Sequence, residues 1–363
     1  MRKKTVKLGV AGLRRGRTVV TELIGDKNVE IRAIADINEK RRLDCKEDFE
    51  SRGVTDLLVF DSLEDMLEKA DIDAVFIATD KPYHTEHAIK ALDAGKHVLC
   101  EIPTVCSLEE AKKLKAAVMS HPELKYMVAE NCFYWAFIEA WKKMRENGSF
   151  GEIVYAEAEY LHSTDPSKIV HDAQKSTNWR LYNHAIQYLT HSLGPLLYIM
   201  DDRCVSVTCM EPEENKYNPA HLGKEVGVAL FRTAKGAIIR ILISFGSYTG
   251  FDHNFAIYGT KGSIMTDKAK PFDEATCWAR LSEVPDTFER AFEIPISSHL
   301  AGETASGGHG GIDRKMIRDF IRCIRDDTPS PIDVDMGLRI SLPGIIAHEA
   351  AISEKTLAIL EVD

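Results

Sequence analysis

No stretch of the chain approaches the roughly 18 consecutive apolar residues that a membrane-spanning helix requires. No Cys-x-x-Cys pair occurs either. The eight cysteines (Cys45, Cys100, Cys106, Cys132, Cys204, Cys209, Cys277, Cys323) are scattered, so they indicate neither a disulfide framework nor a zinc cluster, and no metal-ligand set is expected. An excess of basic charge is missing too. Lys and Arg number 46 against 56 Asp and Glu, a net charge of −10, which counts against nucleic acid and anionic membrane surfaces as partners. Repeats and low-complexity segments are absent. The basic start Met-Arg-Lys-Lys is followed by an apolar run that meets Arg14, Arg15 and Arg17 too soon for a signal peptide. A cytoplasmic location with reduced thiols is expected. What is present is 363 residues with 44% hydrophobic content, enough for two globular domains with large cores.

The first 120 residues alternate short apolar runs with helical periods. Val6–Ala11, Ile31–Ala35, Leu57–Phe60, Ala74–Thr79 and His97–Cys100 read as strands. Thr18–Ile24, Asn38–Arg52, Leu63–Ala70, His84–Ala94 and Leu108–Ser120 carry apolar residues at three- and four-residue spacing. Strand–helix alternation predicts right-handed crossovers and a doubly wound parallel sheet covered on both faces. Beyond about residue 130 the period changes to two. Ile153–Leu161, Val205–Met210, Val226–Phe231, Ala237–Ser244 and Asn254–Tyr258 alternate, which predicts an open, mostly antiparallel sheet in an α+β domain. Helices are expected over Ala136–Asn147, Ala185–Met200, Arg314–Arg325 and Gly337–Glu349. The expected division is 1–128 and 129–363, with a C-terminal helix at 337–350 packing back on the first domain. The glycine-rich stretch His299–Ile312 reads as a loop suited to closing over a ligand.

Gly9, Gly12 and Gly16 sit at the first strand-to-helix turn, where glycine lets backbone N–H groups approach a pyrophosphate. Asp36 ends the next strand, about where an acid accepts the adenosine ribose hydroxyls, and its charge favours NAD over NADP. The turn Gly12-Leu-Arg-Arg-Gly16 is one residue short of the usual Gly-x-Gly-x-x-Gly.

Two further runs are Thr79-Asp-Lys-Pro-Tyr-His84 and Gly95-Lys-His-Val-Leu-Cys-Glu101-Ile-Pro103. Through them the chain resembles the glucose–fructose oxidoreductase, inositol dehydrogenase and MocA family, and the likeness extends over nearly all of it. The resemblance implies a Rossmann domain followed by a substrate domain on an open sheet. It puts Thr79 and His84 on the nicotinamide side and Glu101 on the nicotinamide ribose. It also counts Leu13, Arg14, Pro103 and Asn131 among the cofactor contacts. One departure matters: Ile102 stands where the family usually has a lysine near the reacting hydroxyl, so the base must come from elsewhere.

The run Tyr188-Leu-Thr-His191-Ser-Leu-Gly-Pro195 is similar to one in the NAD-dependent glycosidases of glycoside hydrolase family 109. So are Glu130-Asn-Cys-Phe-Tyr134, Glu159-Tyr160-Leu-His162 and Gly308-His309-Gly-Gly-Ile-Asp313. The branch implies Trp179, Arg180 and His309 as substrate contacts. Taking hydride from a secondary alcohol requires a base for the hydroxyl proton, and histidine titrates near neutrality. His191 is the first candidate, with Tyr188 expected three residues back on the same helical face. Glu130, Tyr160 and His162 offer further acid, phenol and imidazole groups, the last two on one face of a strand.

The expected activity is NAD-dependent oxidation or reduction of a ring hydroxyl of a sugar, glycoside or cyclitol. The alternative is glycoside hydrolysis through transient oxidation, elimination, water addition and re-reduction. A non-catalytic dinucleotide or sugar sensor is the third. A homodimer or homotetramer through the open sheet face is expected, because helices cover only one side of that sheet.

Overall fold

A computed structural model describes residues 5–163, 179–269, 276–295 and 311–362. The described residues belong to two compact units, the first formed by 1–131, 304–338 and 362–363, the second by 132–303 and 339–361.

The first unit is built on a six-stranded parallel sheet. Its strands are β1 (Val6–Ala11), β2 (Val29–Ala35), β3 (Leu58–Phe60), β4 (Ala74–Ile77), β5 (His97–Cys100) and β6 (Tyr126–Val128). Their order is β3-β2-β1-β4-β5-β6, so the order reverses between β1 and β4. In such sheets ligands bind beyond the carboxyl ends of the strands at this switch point. The four residues of β4, Ala74-Val75-Phe76-Ile77, are all buried, as a strand covered on both faces requires. The helices Glu39–Ser51, Leu63–Lys69 and Leu108–Ser120 start at Asn38, Ser62 and Ser107, whose side chains each accept a backbone N–H of the first turn. After β1 the helix is short: Gly16–Val20 gives way to a 3-10 turn at Thr21–Leu23.

The second unit carries a nine-stranded sheet made of β7 (Ile153–His162), β8 (Cys204–Met210), β9 (Val226–Thr233), β10 (Ile238–Ser244), β11 (Phe251–Gly259), β12 (Gly262–Thr266), β13 (Thr276–Leu281), β14 (Phe292–Pro295) and β15 (Leu357–Ala358). Its order is β14-β13-β12-β11-β7-β10-β9-β8-β15. Only the β7–β10 pair is parallel; the other pairs are antiparallel. Alternation along β9 buries Gly227, Ala229 and Phe231 and exposes Val228 and Leu230. The buried face packs on an aromatic core in which Phe255 contacts Phe137 and Trp135.

The expected helix Ala185–Met200 is in fact two pieces. A 3-10 turn covers Ala185–Tyr188 and the α-helix runs from Thr190 to Met200. Tyr188 therefore precedes the helix that carries His191. No helix among the described residues is long and apolar enough to cross a membrane. Most of the glycine-rich stretch, His309 included, lies outside the described residues.

Candidate active site

In the first unit, β1 ends in a turn that only glycine fits. Gly12 has φ +89°, and a Cβ there would stand 2.3 Å from the Ala78 carbonyl oxygen. Its N–H donates to the Ala35 carbonyl at 2.8 Å, and its carbonyl accepts from the Gly16 N–H at 3.1 Å. Gly9 lies within β1, and Gly16 opens the short helix against Val10. Asp36, just past β2, reaches back to this turn. Its Oδ2 accepts the Leu13 N–H at 2.8 Å and its Oδ1 the Asn38 N–H at 2.8 Å. A carboxylate has about four lone-pair sites, so both oxygens keep capacity for the hydroxyls of a ribose. A glycine turn, an anchored acid at the next strand's end and a switch point beside them fit NAD.

The sequence marks Arg15 only as one of three arginines near the glycine turn, and the structure gives it a central place. Arg15 Nε donates to Glu101 Oε1 at 3.0 Å, and its two terminal nitrogens donate to the two oxygens of Asp313 at 2.8 Å each. Burial opposes the guanidinium charge, but Glu101 and Asp313 outweigh it and hold the group above its usual range. Asp313, fully buried at the start of the helix Ile312–Asp326, also accepts from Asn131 Nδ2 at 2.9 Å. Asp313 lies 298 positions from Arg15, which is why no local pattern announces the pair. Arg14, by contrast, is exposed.

His84 is buried, and both of its ring nitrogens face carbonyl oxygens, Nδ1 that of Pro103 and Nε2 that of Thr79, each at 2.9 Å. It thus clamps the loop after β4 to the loop after β5. The Thr79 hydroxyl pairs with Nδ1 of His87, which sequence reasoning did not single out. Ile102 is buried and offers nothing titratable. Glu130 is fully buried in this unit.

The second unit gathers the aromatic and imidazole candidates. Tyr160 and His162 share one face of β7, with ring centroids 5.7 Å apart. Tyr160 is 5.6 Å from His191 and 6.0 Å from Tyr188; Tyr188 is 5.3 Å from His191. The break at Leu189 does not separate these rings, because the 3-10 turn delivers Tyr188 beside the first helical turn. His191 Nδ1 lies 3.2 Å from the Cys132 thiol. Trp179 and Arg180 belong to a 3-10 turn over Trp179–Leu181.

His253, on β11 directly opposite Tyr160 in register, completes the cluster and was missed. Its ring is edge-on to Tyr160 at 4.8 Å, and its Nε2 pairs with the Ser192 hydroxyl at 3.2 Å. No motif marks it; only strand register places it.

Comparison with known proteins matches both units to one family's domains. The sequence model of the GFO/IDH/MocA oxidoreductase family, NAD-binding Rossmann fold, matches residues 6–130, and that family's C-terminal domain matches 138–265. The C-terminal domain of glycosyl hydrolase 109 matches 207–356. A glycosyl hydrolase family 109 protein of Solibacter usitatus is 28% identical, covering 95% of this chain and 85% of its own length. One from Porphyromonas gingivalis is 28% identical, covering 91% and 78%. Among solved structures, a levoglucosan dehydrogenase in complex with NADH superposes with a TM-score of 0.84 at 20% identity, over 99% of this chain and 100% of the other. A scyllo-inositol dehydrogenase of Lactobacillus casei with NAD(H) and scyllo-inositol gives 0.78 at 18%, over 98% and 99%.

The buried His253 sets a pH dependence. Burial first, then the neighbouring His191 and His162, hold its pKa well below the ordinary histidine range. The folded chain keeps the ring neutral, whereas the unfolded chain protonates it with a pKa of about 6.5. Below that pH the unfolded state binds more protons, so stability falls as pH drops. Urea unfolding should show a lower midpoint at about pH 5.5 than at about pH 7.5, with a smaller difference in His253→Gln. An unchanged pH difference in the variant would remove His253 as its source.

Proposed function

Because the chain belongs to the GFO/IDH/MocA oxidoreductase family, we propose that it uses NAD to oxidise or reduce a ring hydroxyl of a sugar, glycoside or cyclitol. The observation that carries this reading is the cluster of His191, Tyr188 and Tyr160, with ring centroids within 6.0 Å. Likeness to dehydrogenases of inositol and levoglucosan supports a polyhydroxylated ring as substrate.

Bound NAD supplies the hydride acceptor or donor. Asp36 holds the adenosine ribose hydroxyls, and the Gly12 turn, with Leu13, Arg14 and Gly16, lets backbone approach the pyrophosphate. Glu101, its charge balanced by Arg15, holds the nicotinamide ribose; Thr79, Pro103 and Asn131 complete that side. His191 takes the hydroxyl proton at Nε2, while its Nδ1 faces Cys132 Sγ. The Tyr188 and Tyr160 hydroxyls orient the sugar, with His162, Trp179 and Arg180 as further contacts. Glu130 and His309 are assigned to acid–base work and substrate contact on the family likeness alone.

A second reading, glycoside hydrolysis with no net redox, is favoured by the match to the glycosyl hydrolase 109 C-terminal domain. It requires a second acid–base group, the part given to Glu130, Tyr160 or His162; the Tyr160 ring is 5.6 Å from His191 and 5.7 Å from His162.

We also propose association of two copies through the sheet of the second unit. Val228 and Met210 are opposite each other in register, and Met210 is 76% and Leu230 50% exposed. Such a patch is costly to leave in water. Light scattering at micromolar concentration should report a dimer or tetramer, and Leu230→Glu should weaken it; a monomer contradicts the proposal.

For the cofactor, Asp36→Ala should bind NAD more weakly and discriminate less against NADP. Equal or tighter binding of NADP by the unmodified protein would exclude the assignment of Asp36. Screening free sugars and aryl glycosides while following NADH absorbance and aglycone release separates the two activities. NADH accumulation supports the dehydrogenase, and aglycone release without it the hydrolase. His191→Ala should lower turnover by about 10²–10⁴ with NAD affinity little changed. Full activity in a stable His191→Ala protein would end its assignment as base.

A further inference from the structure

Away from the aromatic cluster, the second unit brings two imidazoles and a carboxylate together from three elements. His184 caps the 3-10 turn Ala185–Tyr188, Glu211 follows β8, and His348 lies on the helix Val334–Ser353. Glu211 Oε2 is 2.8 Å from His348 Nδ1 and 4.0 Å from His184 Nδ1. The two imidazole centroids are only 3.5 Å apart, tilted by 33°. One ligand atom from each residue lies within 4.8 Å of the other two.

The carboxylate is the revealing member. The Glu211 side chain is 5% exposed, and among the described residues its Oε1 is buried with no hydrogen-bond partner. Neither Lys nor Arg pairs with it among the described residues; the groups beside it are the two imidazoles. A buried carboxylate requires a compensating charge and donors for its lone pairs. His348 Nδ1 meets Oε2 at 2.8 Å, and Oε1 is left unmet. A divalent cation answers both needs at once.

We propose that His184, Glu211 and His348 bind a divalent transition ion of the zinc class. Imidazole nitrogens select against Mg²⁺ and Ca²⁺, which prefer oxygen ligands. A tetrahedral Zn²⁺ with ligand distances of about 2.0–2.2 Å puts ligand atoms about 3.3–3.6 Å apart. The observed 2.8 and 4.0 Å bracket that spacing. The Lys224 amide donates to His184 Nδ1 at 3.2 Å, a long contact that the ion replaces. Three protein ligands leave a fourth position for Oε1 or water. His184 stands four residues before Tyr188 and seven before His191, so the ion is a positioning element. It ties the 3-10 turn that delivers Tyr188 to β8 and to the C-terminal helix.

The test uses the full chain, treated with chelator, dialysed, and titrated with Zn²⁺ and with Co²⁺. One ion per chain is expected by elemental analysis. The Co²⁺ form should show the visible absorption of a four-coordinate site without sulfur-to-metal charge transfer. Glu211→Gln and His348→Leu should lose the ion, and His348→Asp, which keeps a ligand, should retain it. Circular dichroism establishes that each variant is folded. Cys132→Ala should bind like the unmodified chain. No uptake at micromolar ion would overturn the proposal. So would an ion kept by folded Glu211→Gln and His348→Leu, or a thiolate signature lost in Cys132→Ala.

Discussion

The first unit depends on one constraint: the chain must reverse after β1 against the backbone of the strand beside it. At Gly12 the Ala78 carbonyl leaves no room for a side chain, and φ is positive. Three separate parts of the unit then lock the turn. Asp36 from the end of β2 accepts the Leu13 N–H, while Arg15 reaches Glu101 after β5 and Asp313 at the start of the helix Ile312–Asp326. Leaving a fully buried carboxylate such as Asp313 without its cation costs about 3–5 kcal/mol. The locked turn is pre-shaped, so binding a dinucleotide need not order it, and less affinity is lost to that.

The second unit solves a different problem, placing several polar rings together without burying them unpaired. Strand register does most of it. Tyr160 on β7 is opposite His253 on β11, so the two rings meet by pairing, and His253 is satisfied in part by Ser192 from the helix that also carries His191. The break at Leu189 brings Tyr188 into the same cluster. Each ring sits on a regular element whose backbone bonds are made elsewhere, which keeps the constellation rigid.

The sequence made the parallel sheet legible because near-continuous apolar strands and periodic helices carry their own signals, and Gly12 and Asp36 stood at motif spacing. The alternation of β7 to β11 was equally plain. The strands β6, β12, β13, β14 and β15 escaped; β6, β14 and β15 are brief segments with too little periodicity to separate from loops. The pairing of Arg15 with Asp313 escaped because it joins positions far apart in the chain. His253 required register, and the group of His184, Glu211 and His348 required three elements to converge. The helix expected through Ala185–Met200 failed at Leu189, where apolar spacing continues although the backbone changes to a 3-10 turn.

The central claim is that the Gly12 turn is a dinucleotide cradle, and calorimetric titration of the unmodified chain and of Gly12→Ala with NAD tests it most directly. A Cβ at this position meets the backbone of Ala78 and Thr79 just past β4, so the turn must move while the rest of the sheet retains its pairing. The account predicts one NAD per unmodified chain and binding lost or weakened by more than about tenfold, a difference of about 1.4 kcal/mol, in a Gly12→Ala protein whose circular dichroism is unchanged. Equal affinity in the two proteins, or no NAD bound by the unmodified chain, would contradict it.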